Sequence, residues 1–242
     1  MHDPTGFRLP RLCLPRPGID LSKWAVIACD QYTAEPQYWE QVEREVGDAP
    51  STLHLIFPEV YLGASDAPQR IARIQATMRR YLAEGLLTDH AGAVLVERRI
   101  GAHTRRGLML ELDLEHYDFS PSSTSLIRPT EGTIVERLAP RIEVRRAAEL
   151  ELPHILVLID DPDCTVVEPV AAARAELKAL YATELMGGGG HVAGHALSAA
   201  QGTQVLRALQ ALAEAQAFAR RYAVPAGTPA MLFAVGDGNH SL

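Results

Sequence analysis

The chain has 242 residues, 47% of them hydrophobic and 22% charged, and carries a formal net charge of −7. These values suit a globular chain with a sizeable core, and exclude a disordered or low-complexity polymer and a duplex nucleic-acid binder that relies on a basic field. Cys13, Cys29 and Cys164 are too few and too scattered for a disulfide framework or a zinc site.

The first 20 residues, rich in Pro and Arg, should run extended over the surface. They hold charges and prolines where a signal peptide needs an apolar run, and no apolar stretch is long enough to span a bilayer, so a cytoplasmic protein without membrane partners is expected. Trp24 to Cys29 (WAVIAC) reads as a buried strand ending at Asp30. A helix should follow, with Thr33 as N-cap, Pro36 in the first turn, Trp39, Val42 and Val46 on one face and Gly47 at the stop. Residues 50–64 are apolar but broken by Pro58 and read as an irregular packed segment. Asp66 opens a stronger helix with Ile71, Ile74, Met78 and Leu82 on one stripe, ended by Gly85. Its arginines lie mostly off that stripe, on a solvated face.

Ala93 to Ile100 and Leu108 to Leu114 read as strands joined by a loop from Gly101 to Gly107. Ser120 to Ser125 is a polar linker and a weak boundary. His154 to Ile159 is a buried strand ending in an aspartate-rich turn. Helices are expected at about 167–185 and 199–223, the second with Ser198 and Gln201 at capping-box spacing, and with Gly187 to Gly190 as the linker between them. Ala230 to Val235 is a last buried strand. The expectation is a mixed α+β chain, one α/β unit over 1–242 with a mixed sheet flanked by helices. A buried strand followed at once by a polar turn reads as the front part of a longer chain. The alternative is a short protein whose tail closes on another subunit of a homodimer.

Four constellations could carry chemistry. In Gly236-Asp237-Gly238-Asn239-His240-Ser241 the glycines permit close approach of a ligand, Asp237 could hold Mg²⁺ or act as a base, and Asn239 and His240 could bond a phosphate; a plain surface turn is the other reading. Arg128-Pro129-Thr130-Glu131-Gly132-Thr133, with Glu136 and Arg141, combines cations, hydroxyls and a carboxylate that suit a phosphate or carboxylate ligand, or else forms an exposed loop with an ion pair. GGGGHVAGH at 187–195 is neither a P-loop nor a dinucleotide fingerprint, and reads as a flexible linker. Cys29-Asp30-Gln31 sits at a strand end, where α/β sheets place ligands; Cys29 itself reads as a small buried hydrophobe, because no partner histidine is identifiable. Asp160 and Asp161 could bind a metal, or simply form a turn.

Five blocks, ACDQYTAEPQYWE, PSTLHLIFPEVYL, IRPTEGTIVERLAPR, LPHILVLIDDP and VGDGNHSL, resemble in order and spacing the domain-of-unknown-function family 1015. Many of its members carry Asp-Gly-His-His-Arg in the last block, and this chain has Asp237, Gly238, Asn239, His240 and Ser241 instead. That motif is similar to the nucleotide site of the ParB and sulfiredoxin-like group, which includes kinases of free serine. The resemblance implies a nucleotide and a small polar substrate as partners, ATP and Mg²⁺ as cofactors, and phosphoryl transfer to a small hydroxyl. Asp237 would take the metal. Asp30, Glu131 or Asp237 would accept the hydroxyl proton, and His240 would join the catalytic group. Arg128, Thr130, Thr133, Gly236, Gly238, Asn239 and Arg141 would hold phosphate or nucleotide. The missing cation at Ser241 weakens phosphoryl transfer, which leaves a non-catalytic nucleotide switch or interaction module as the alternative.

Overall fold

A computed structural model of the chain describes residues 6–135 and 138–241. In chain order the elements are β1 (Phe7–Arg8), β2 (Arg11–Pro15), α1 (Leu21–Trp24), α2 (Pro36–Val46), α3 (Ala67–Ala83), β3 (Leu87–Ala91), β4 (Val94–Ile100), β5 (His103–Met109), β6 (Glu111–Leu112), β7 (Ile127–Pro129), α4 (Leu138–Arg145), β8 (Leu156–Ile159), α5 (Val167–Ala172), β9 (Lys178–Leu185), β10 (Gly190–Ala196), α6 (Ala199–Ala213), α7 (Ala215–Tyr222) and β11 (Phe233–Asp237). The chain is thus a mixture of helices with mixed and antiparallel sheets, as its patterning implies. The strands form an antiparallel sheet β5-β4-β10-β9, a sheet β7-β11-β8, and two pairs, β1-β6 and β2-β3. No helix among the described residues is long and apolar enough to cross a membrane.

The two helices with the clearest apolar spacing form where the pattern places them. In α2, Pro36 occupies the first turn, with Glu35 and not Thr33 at the N-cap, and Trp39, Val42 and Val46 bury one face together with Leu53. In α3, Ile74, Met78 and Tyr81 pack with Trp24, Leu55, Phe57 and Leu86, while Leu82 is exposed. Burial of each such large side chain contributes about 2 kcal/mol. Residues 50–64 contain two short 3-10 turns, Thr52–Leu55 and Glu59–Tyr61. Ser198 and Gln201 form the expected capping box of α6.

Four expectations need correction. Residues 25–28 are not a strand: Trp24 ends α1, and the segment after it is held by side chains instead of a partner strand. The Trp24 carbonyl accepts from Ser51 Oγ and Thr52 Oγ1, at 3.4 and 2.7 Å. Helix α5 stops at Ala172, and residues 178–185 form β9, because pairing with β10 outweighs the helical spacing of Leu177, Leu180 and Tyr181. The glycine run is accordingly the turn of a β-hairpin, not an interhelical linker. A Cβ at Gly190 (φ +81°) would overlap the Arg99 carbonyl, and one at Gly194 would overlap the Tyr181 ring. The loop between β4 and β5 is only Gly101 and Ala102, as His103 already pairs with Ile100.

The largest core cluster joins both major sheets. Leu95 of β4, Ile127 of β7, Phe233 and Val235 of β11, and Val205 and Leu209 of α6 are buried together. It fixes the sheet β7-β11-β8, whose ends carry the polar segments.

Candidate functional site

The site grows from the central strand β11. It runs parallel to β7, with Ala234 opposite Arg128 and Val235 opposite Pro129. Parallel pairing sends the chain out of both strands at the same edge, so the segments after Pro129 and after Val235 emerge side by side. Thr130 closes the join: its backbone N–H and its hydroxyl both donate to the Val235 carbonyl at 3.0 Å. Farther out, the Ile134 amide donates to His240 Nε2 at 2.9 Å. On the other side β8 runs antiparallel to β11, so its beginning reaches the same edge. Gly238 (φ +76°) lies there against Ile155, and an added Cβ would sit 3.1 Å from Ile155 Cγ1 and 3.5 Å from His154 Cδ2. A Ser241 amide bond to the Gly238 carbonyl at 2.8 Å closes the turn. Asn239 is buried in it, and its Nδ2 has no hydrogen-bond partner among the described residues.

Helix α4 covers this edge with cations. Arg141 pairs with Glu59 at 2.5 Å, with both side chains mostly buried. Arg145 donates to the Ser241 carbonyl at 2.9 Å and pairs with Glu151 at 2.5 Å, and Arg146 pairs with Glu143 at 3.0 Å. Leu138, Arg141, Ile142, Arg145, Arg146, Glu151, His240 and Ser241 enclose a cleft of about 390 Å³. Its lining carries three guanidinium groups, each paired with a carboxylate: Arg141 with Glu59, Arg145 with Glu151 and Arg146 with Glu143.

Glu59 links the cleft to a second group. Its amide donates to the Cys29 carbonyl at 2.8 Å. Cys29 Sγ lies 3.5 Å from His154 Nδ1, and His154 Nε2 lies 3.9 Å from Asp30 Oδ2. The expectation that Cys29 lacks a histidine is therefore corrected. Burial, reinforced by the charges of Asp30 and Glu59, pushes the Cys29 thiol up to about 12, so it keeps its proton. His154 Nε2 is buried and without a hydrogen-bond partner among the described residues.

Of the residues nominated from sequence, Asp30, Thr130, Arg141, Gly236, Asp237, Gly238, Asn239 and His240 gather at this edge, with Asp237 exposed. Arg128 does not face it. Its guanidinium donates to the carbonyls of Ser125 and Ala230, at 2.6 and 2.8 Å, at the opposite end of β11, and burial lowers its pKa. Glu131 is exposed, and Thr133 stands beside the Tyr117 hydroxyl. Glu136 lies outside the described residues. Asp161 caps the following turn through the Val166 amide at 2.8 Å, and Asp160 pairs with Arg221. His154, Glu59, Arg145 and Arg146 were missed. The signal for His154 was its place directly before an apolar run, where a strand would begin. Among the described residues no three His, Cys, Asp or Glu side chains gather as a metal site.

An α+β chain with an arginine-lined cleft at the edge of a mixed sheet is the class of protein these features define. The chain belongs to the family described as protein of unknown function (DUF1015), whose model matches residues 13–242. No curated protein and no solved structure matches it.

Proposed function

We propose that the cleft binds the polyphosphate of ATP and that the protein transfers a phosphoryl group to the hydroxyl of a small amino acid such as serine. One observation carries this reading: Arg141, Arg145, Arg146 and His240 line a single cleft, of a volume suited to a nucleotide, in an otherwise acidic chain. Guanidinium groups match phosphate oxygens in geometry and charge. The buried Asn239 Nδ2 adds a donor in need of an acceptor.

Asp237 is the metal ligand that the family resemblance nominates, and Mg²⁺ characteristically rests on one or two carboxylates plus substrate phosphates, so its exposed carboxylate fits an ion that arrives with the nucleotide. Bound there, Mg²⁺ would neutralise phosphate charge. The chain's own residues orient the phosphates, hold the acceptor and take its proton. The acceptor hydroxyl loses its proton to a carboxylate as its oxygen bonds to phosphorus, and the bond to the nucleoside diphosphate breaks with its electron pair leaving on the diphosphate.

The full chain, incubated with ATP, Mg²⁺ and a panel of hydroxyl and non-hydroxyl amino acids, should release ADP only with a hydroxyl acceptor. No acceptor-dependent release overturns the reading. A second reading, a nucleotide-dependent switch without transfer, is favoured by Ser241 and by the engagement of Arg128 with backbone carbonyls, both of which reduce the positive charge on offer. Calorimetry with ATP and CTP that shows binding without turnover selects it.

A further inference from the structure

We infer that Asp30 and His154 form the subsite for the acceptor hydroxyl, with Cys29 as the positioning residue that sets the histidine tautomer. This rests on the phosphotransferase reading and deepens it by locating the acceptor.

The geometry begins at the imidazole. Its Nδ1 faces Cys29 Sγ at 3.5 Å, within reach of a thiol hydrogen bond. The Cys29 thiol keeps its proton and can donate this bond; Nδ1 is then the acceptor, and the ring N–H sits on Nε2. The Nε2–H donor is buried and has no hydrogen-bond partner among the described residues. The nearest carboxylate oxygen, Asp30 Oδ2, is 3.9 Å away, too far for a direct hydrogen bond. A donor and a charged acceptor at this separation suit one guest oxygen between them, which accepts from Nε2–H and donates to the carboxylate. A hydroxyl does both. A phosphate oxygen cannot donate, and the Asp30 charge would repel it; an ammonium group cannot accept.

The subsite also lies in the right place. The ring carbon bonded to Nε2, Cδ2, comes within 3.5 Å of a Cβ built on Gly238, so the donor edge of the imidazole borders the turn that carries Asp237 and Asn239. Cys29 and the cleft are tied together through Glu59, which bonds the Cys29 carbonyl with its amide and Arg141 with its carboxylate. A hydroxyl held between Asp30 and His154 therefore stands beside the phosphate cleft, with its proton facing Asp30. Asp30 is the catalytic base of this arrangement, His154 orients the oxygen, and Cys29 acts through His154.

The test uses the full chain with ATP, Mg²⁺ and serine. Asp30→Asn should lower kcat by about 10²–10⁴-fold, as loss of a general base does, with ATP affinity little changed. His154→Ala should raise the KM for serine about tenfold or more, and His154→Gln, which keeps an N–H near the Nε2 position, should recover part of it. Cys29→Ser, which keeps a donor for Nδ1, should resemble the parent, whereas Cys29→Val should behave like His154→Ala. A readout independent of turnover is the ¹⁵N spectrum of His154: the Nε2–H tautomer in the parent, and a shift toward Nδ1–H in Cys29→Val. Absence of ATP binding in the parent defeats the functional reading. ATP binding and turnover that survive Asp30→Asn, or a parent His154 protonated at Nδ1, defeat the hydroxyl subsite alone.

Discussion

The Ile134 amide donates to His240 Nε2 at 2.9 Å, across 106 residues of sequence. This bond joins the segment after β7 to the turn after β11, and it uses the Nε2 lone pair of a ring that also lines the cleft. The two polar blocks are thus one construction, with the histidine as their link. His240→Ala should lower nucleotide affinity about tenfold and remove the hydrogen-exchange protection of the Ile134 amide. Both are measurable on one preparation, by calorimetry and by exchange mass spectrometry. Unchanged protection at Ile134 would show the link to be dispensable.

The Arg141–Glu59 pair is the least exposed ion pair of the cleft, with side-chain exposures of 17% and 14%. Removing one partner leaves the other charge partly buried and uncompensated. Arg141→Met should cost about 3 kcal/mol in urea unfolding, and the double variant Arg141→Met with Glu59→Gln should cost less than Arg141→Met alone. Arg145→Ala, at a more exposed pair, should cost under about 1 kcal/mol of stability yet weaken ATP binding. If Arg145→Ala leaves the ATP affinity as it was, the cleft is not the polyphosphate site.

The Cys29 thiol supplies a pH signature. Its folded pKa is raised, from the ordinary 9.0 to about 12. A raised acid favours the fold while both states are protonated, so its contribution is complete below about pH 9 and is lost as pH climbs toward 12, where the unfolded chain ionises first. The difference in unfolding free energy between parent and Cys29→Ser should shrink across that window. Iodoacetamide at pH 8 should modify the exposed Cys164 well before Cys29. Equal labelling rates at the two thiols would contradict the burial argument.

Glu97 offers a control remote from the cleft. It is buried on β4 and accepts from Arg106 and Arg174, each at 2.8 Å. Glu97→Ala should destabilise the antiparallel sheet by about 1–2 kcal/mol and leave ATP affinity unchanged. A matching loss of affinity would mean that the two sheets communicate.

The parts of the fold legible in the sequence are those that local chemistry alone decides. The spacing of Trp39, Val42 and Val46 and the box of Ser198 and Gln201 each specify their element without outside help, and the Ala230 to Val235 run marks its strand, although pairing begins only at Phe233 and continues to Asp237. The misreadings share one cause, a partner that the sequence does not announce. WAVIAC has the composition of a strand, but side chains of residues 51 and 52 take the place of a neighbouring strand. Residues 178–185 have helical spacing but find β10. At the site, Asp237, Asn239 and His240 stood out by composition, whereas Arg128 looked equally suited to an anion and is turned to carbonyls at the far end of its strand. His154 escaped notice because its meaning depends on Cys29, 125 positions away.

Strand β11 lies between β7 and β8, which share no ladder with each other. During synthesis both neighbours leave the ribosome well before it, and they wait with one edge each unsatisfied. The cleft cannot be assembled until His240 and Ser241, which line it, have emerged, so a nascent chain interrupted earlier lacks the site proposed for ATP. If the proposed reading holds, ATP affinity reports on completion of the polypeptide as far as this strand and turn.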